Sequence, residues 1–140
     1  MSDTLNLANK IGQNLEGGES IQLIGDIGAG KTTFTKGLAK GLGCQEEIVS
    51  PTFTLSREYP CRDGLSLHHY DFYRLDEPGL MSIELEESLQ DKNAVTVVEW
   101  ADSVKDVLPN NCIRIKISPS SLDGRAIQIS ADQKLIEKLK

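Results

Sequence analysis

The residues best suited to chemistry in this chain lie together at Gly25-Asp26-Ile27-Gly28-Ala29-Gly30-Lys31-Thr32. They satisfy the spacing G-x-x-x-x-G-K-[ST] in full. Glycines let the backbone close around an anion in conformations that a side chain forbids. Successive amide N–H groups then converge on a phosphate. A helix starting near Lys31 adds the positive end of its dipole. The Lys31 ammonium is placed to reach the β- and γ-phosphates, and the Thr32 hydroxyl to ligate Mg²⁺. The implied ligand is ATP with Mg²⁺, bound by Asp26, Gly28, Ala29, Gly30, Lys31, Thr32 and Thr33. So short a pattern also arises by chance, and its context decides. An apolar run at residues 20–24 precedes it as a buried strand, and a helical stretch at 32–42, stopped at Gly43, follows it.

A phosphate loop that hydrolyses its ligand also needs an acid at the end of a neighbouring strand, to hold the metal or its water. Two carboxylates fit. Glu99 ends the β-branched run Val95-Thr96-Val97-Val98, and Asp71 ends the alternating stretch 65–70. Lys31, Asp71 and Glu99 are therefore the catalytic candidates, with Thr32 as a metal ligand and one of the two acids beside it. Spacing alone does not separate the acid that holds metal from the one that orients water. Ser50-Pro51-Thr52-Phe53-Thr54 offers hydroxyls that could sense a γ-phosphate, or is simply a strand entry stiffened by proline. His68 and His69 fall on opposite faces of a strand, and at least one of them reads as structural. Trp100 reads equally as a stacking surface or as core. Arg74 and Arg125 could face phosphates; a surface ion pair is the default for any single arginine.

The elements that must position these residues follow from periodicity. Helical spacing of Leu5, Ala8, Ile11 and Leu15 gives a first helix over 3–15, ended by Gly17-Gly18. Strands are expected at 20–24, 52–59, 65–70, 95–98, 112–118 and 125–130, and helices at 32–42, from about Pro78 to 89, and at 132–139. This order implies a mixed sheet covered by helices. The expected fold class is α/β: a P-loop NTPase fold, three-layer α/β/α, with a mixed central sheet and antiparallel C-terminal strands. A length of 140 residues points to one domain over 1–140. The net charge of −6 argues against direct binding to a polyanion, so DNA is not an expected partner. No apolar run approaches the ~20 residues that span a bilayer, and no membrane association is expected. The first residues lack a basic and apolar leader. The three cysteines, Cys44, Cys61 and Cys112, are widely separated and read as unpaired, mostly buried thiols, which points to the cytoplasm.

Four segments together resemble one family. They are Gly25-Asp26-Ile27-Gly28-Ala29-Gly30-Lys31-Thr32-Thr33, Ser50-Pro51-Thr52-Phe53, His69-Tyr70-Asp71-Phe72-Tyr73-Arg74-Leu75 and Val98-Glu99-Trp100. In this order and spacing they resemble the TsaE family, small bacterial ATPases needed to make threonylcarbamoyladenosine in tRNA. The resemblance runs from Thr4 to the Gly124-Arg125 turn, with segment 77–92 departing from the pattern. It implies association with TsaD and TsaB proteins, contact with tRNA only through that complex, and ATP hydrolysis without transfer of the threonylcarbamoyl group. It also implies that Glu99 ligates Mg²⁺ beside Thr32 and that Asp71 is a second acid needed for hydrolysis. Thr4 and Arg125 resemble nucleotide contacts, Trp100 a functional tryptophan, and Ser50-Pro51-Thr52 a switch-like loop.

Two other functions use the same loop. A small kinase needs an acceptor pocket and usually an arginine-rich lid, yet the 15 basic residues are scattered. A nucleotide-dependent binding subunit with negligible hydrolysis would have no use for the pair Asp71 and Glu99. A GTPase is disfavoured because no N-K-x-D-like segment is present.

Overall fold

The computed structural model describes residues 2–25, 30–48, 56–72, 79–119 and 125–139. The helices are α1 (Ser2–Gln13), α2 (Lys31–Leu42), α3 (Leu80–Gln90) and α4 (Gln133–Lys138). The strands are β1 (Ser20–Ile24), β2 (Ser56–Pro60), β3 (Ser66–Asp71), β4 (Ala94–Glu99), β5 (Ile113–Pro119) and β6 (Arg125–Ser130). Short 3₁₀ turns occupy Arg62–Gly64 and Ala101–Val104. The order of helices and strands agrees with the one expected from periodicity. The sheet has six strands in the order β2-β3-β4-β1-β5-β6. The inner four run parallel, while β2 and β6 pair antiparallel at the two edges. Pro60, which lacks an N–H, lies at the end of edge strand β2, where its loss to the ladder is tolerated.

Alternation along the strands builds a core on each face. Val95 and Val97 of β4 join Leu23, Leu67 and Ile115 beneath α1 and α2. Val98 turns to the other face with Tyr70, Leu85, Val104 and Leu108. Every residue of β4 is buried, as a central parallel strand requires. Each buried Val, Leu or Ile stabilises the fold by about 1.5–3 kcal/mol. Polar groups on the α3 face are partnered. His68 Nδ1 meets Ser88 Oγ at 2.7 Å, and Ser88 Oγ meets Thr96 Oγ1 at 2.6 Å. Burial pushes the Tyr70 phenol up, and its hydroxyl donates to the Glu84 carbonyl at 3.3 Å.

α1 and α2 pack backbone to backbone because glycines face the contact. A Cβ on Gly41 would stand 2.2 Å from the Asn9 carbonyl oxygen, and one on Gly12 2.4 Å from that of Leu38. For Gly41→Ala, overpacking should cost about 1–3 kcal/mol, against a gain in helix propensity of about 1 kcal/mol, so a net loss of up to about 2 kcal/mol is expected. Urea unfolding checks this, and a higher midpoint would contradict the close approach. Arg62 ties the ends of the same helices. Its guanidinium donates to the Gly41 carbonyl at 2.6 Å and to that of Leu15 at 2.9 Å, taking up acceptors left open where helices end.

The cysteines overturn the sequence expectation. Cys44 and Cys61 form a disulfide with Cα atoms 4.1 Å apart, and only buried Cys112 is free. The pairing is a tertiary effect. Gly43 turns the chain out of α2 in the left-handed region (φ 77°), and the turn after β2 folds back onto it. The cysteines therefore no longer support a reducing compartment. Burial pushes the Cys112 thiol up, which keeps it protonated and slow to react. Unfolding without reductant should expose one titratable thiol, and unfolding with reductant three. Closing this 17-residue separation should contribute about 3 kcal/mol. Three thiols in the unreduced, unfolded chain would contradict the pairing.

Candidate nucleotide-binding site

The candidate site forms where β1 and β4 end and α2 begins. Gly30 caps α2 at φ 98°, a left-handed conformation that glycine adopts without penalty. No acidic side chain occupies the first turn of α2, so its positive end is not neutralised from within the helix. Asp26, Gly28 and Ala29 lie outside the described residues, as do Ser50-Pro51-Thr52-Phe53-Thr54 and Arg74.

Lys31 is 6% exposed. Its Nζ donates to the Gly25 carbonyl at 2.8 Å, so the side chain spans the two ends of the loop. The same ammonium lies 3.8 Å from Glu99 Oε1 and 3.7 Å from the centre of the Trp100 ring. Thr32 is exposed and Thr33 half-buried on the first turn of α2.

Parallel register delivers the acids. Glu99 pairs with Leu23 of β1 on one side and with Asp71 of β3 on the other. The two carboxylates singled out in sequence thus end adjacent strands, side by side. Glu99 is 5% exposed, and its Oε2 is 2.5 Å from His69 Nε2. The Phe72 N–H donates to the Glu99 carbonyl at 3.1 Å, locking the two strand ends together. Trp100 follows with φ 55°, uncommon for a bulky residue. That turn is what brings the indole onto Lys31 rather than into the core alone.

The other expected contacts are more distant in the fold. Thr4 is buried in α1, the helix packed on α2. Arg125 opens β6, two strands from β1. His69 was missed as a site residue. The available signal was period two: His69 and Asp71 share a face, the face on which α2 packs, whereas His68 turns to Ser88.

The oxygen donors suit Mg²⁺. Among the described residues no group of three or more His, Cys, Asp or Glu could hold a metal alone. Mg²⁺ is commonly held by one or two protein oxygens plus phosphate and water, which is the set that Thr32 and Glu99 could offer. A cleft of about 260 Å³ adjoins this group, lined by Leu23, Gly25, Trp100, Asp102 and Lys116. A larger one of about 340 Å³ lies by Glu16, Ser20 and Asp132, at the opposite end of β1, remote from the chemistry.

The family model described as "Threonylcarbamoyl adenosine biosynthesis protein TsaE" matches residues 1–127. The chain belongs to the TsaE family. The tRNA threonylcarbamoyladenosine biosynthesis protein TsaE of Nostoc sp. is 38% identical over 130 residues, covering 91% of this chain and 79% of that protein. The Bacillus subtilis TsaE is 42% identical over 115 residues, 81% of this chain and 70% of that protein. A crystal structure of Bacillus subtilis YdiB superposes with a TM-score of 0.77 at 36% identity, covering 99% of this chain and 87% of that chain. The mixed six-stranded sheet with its helices is the P-loop NTPase-like α/β fold of this TsaE-family chain.

Proposed function

We propose that this TsaE-family chain is a Mg²⁺-dependent ATPase that supports formation of threonylcarbamoyladenosine in tRNA. In this reading it associates with TsaD-like and TsaB-like proteins, meets tRNA only through them, and does not itself transfer the threonylcarbamoyl group. It would act in the cytoplasm, where tRNA is modified. The observation that carries the ATPase reading is the meeting of Lys31, Glu99 and Asp71 at adjoining element ends. Membership of the TsaE family supports the pathway.

Each residue then has a role. The amides at the start of α2 hold phosphate oxygens, and the Lys31 ammonium meets the β- and γ-phosphates as a point charge. Thr32 and Glu99 would hold the metal. Mg²⁺, when bound, would neutralise charge on the transferred phosphoryl group. Asp71, beside Glu99, shares the work of holding and orienting the attacking water. Such catalysis is positioning plus charge stabilisation. Activity of the chain alone is expected to be weak and to rise with its partners.

Hydrolysis by the purified chain, with and without TsaD and TsaB homologues, tests this. A faster rate in their presence is expected. Equal rates would overturn the partner role. Failure to bind Mg²⁺-ATP under either condition would overturn the whole reading.

A further inference from the structure

The imidazole of His69 is 1% exposed and touches the buried carboxylate at the centre of the site. A catalytic role does not need a histidine there, since Lys31, Asp71 and Glu99 already supply the charges. The geometry suggests a different task. One oxygen of Glu99, Oε2, is held by His69 at 2.5 Å, while the other, Oε1, faces Lys31 at 3.8 Å. A carboxylate only accepts, so the contact places a proton on His69 Nε2. His69 Nδ1 has no partner among the described residues. The ring is therefore anchored to Glu99 rather than to a structural acceptor elsewhere.

Left alone, the terminal torsion of a glutamate is broad, and its two oxygens exchange places freely. A short bond from a buried ring removes that freedom. His69 is held by the β3–β4 ladder opposite Val97, with Asp71 two residues further along the same strand face. The ring thus references both acids to one rigid strand.

We propose that His69 is a positioning residue that orients the Glu99 carboxylate, turning Oε1 toward the metal and phosphate side. This inference rests on the ATPase reading above, in which Glu99 ligates Mg²⁺. Partners that orient a metal-binding carboxylate typically account for 10–100-fold in metal affinity, roughly.

The test compares His69→Ala, His69→Asn and His69→Gln in the full chain. Gln carries an N–H₂ near the position of Nε2 and reaches Glu99; the Asn amide stops near Nδ1. Trp100, the only tryptophan, reports binding by its emission. Two titrations are read: ADP in EDTA, and Mn²⁺ into the ADP-loaded chain. For His69→Ala and His69→Asn, the half-saturating Mn²⁺ concentration should rise about 10–100-fold. His69→Gln should stay within about threefold of the parent, and ADP binding in EDTA should change little in all three. Mn²⁺ binding unchanged in His69→Ala overturns the proposal. So does equal loss in His69→Asn and His69→Gln that follows melting temperature, since that marks a packing role. Glu99→Gln separates the two readings. If it leaves Mn²⁺ binding intact, the metal role of Glu99 fails and His69 falls with it; if it weakens Mn²⁺ while the His69 variants do not, only the His69 inference fails.

Discussion

Lys31→Ala is expected to lower ATP hydrolysis by about 10²–10³-fold, the range for losing one preorganised charge donor at a transition state. The ammonium touches Gly25, Glu99 and Trp100 together, so its removal has three separable effects. The phosphates lose a cation, the loop loses the bond that spans its ends, and the buried carboxylate of Glu99 loses a neighbouring positive charge. Breaking a buried ion pair costs about 3–5 kcal/mol at good geometry. The 3.8 Å separation is long, and His69 still donates to Glu99, so about 1–2 kcal/mol is expected here. Lys31→Met keeps the stem and removes only the charge. It should match Ala in rate and lose less stability. Hydrolysis near the parent rate in either variant would remove Lys31 from the phosphate site. The emission of Trp100 should also shift in both, because the cation now lying over its ring is gone.

Glu99→Gln is expected to separate activity from stability. Hydrolysis should fall by about 10²–10³-fold, since an amide neither neutralises Mg²⁺ nor holds it as a carboxylate does. The melting temperature of the nucleotide-free protein should change little. The neutral amide avoids the desolvation cost of a carboxylate that is 5% exposed, while the buried Lys31 ammonium loses its counter-charge. The amide oxygen can still accept from His69 Nε2. Affinity for ADP in EDTA should be largely retained. A variant that loses stability and activity in step would show that Glu99 serves the core rather than the site.

The outline of this fold was readable because it rests on local pattern. β1 and β6 fall at the residues expected, 20–24 and 125–130, since each is a β-rich run bounded by turn residues. α2 was legible from its glycine stop at Gly43, and β4 from a β-branched run that could only be a buried central strand. The edges of elements moved where tertiary bonds extend them. β4 runs on to Glu99 because it pairs with β1 on one side and β3 on the other. α1 ends at Gln13 rather than 15, although Asn14 and Leu15 still donate back into its last turn.

The setting of the candidate loop was also local, and so was legible. Lys31 and Thr32 open α2 after β1, and Asp71 and Glu99 end β3 and β4, the strand-end positions expected of them. What the sequence could not carry is every contact between segments far apart in the chain. The Cys44–Cys61 bond, the Arg62 clamp on two helix ends, the indole of Trp100 over Lys31 and the grip of His69 on Glu99 all depend on strand order and register. Periodicity tells a side chain which face to occupy, but it does not say which strand lies alongside. Packing decides that: the observed order sets β4 between β3 and β1, where every one of its residues is buried and the ends of the three strands fall into line.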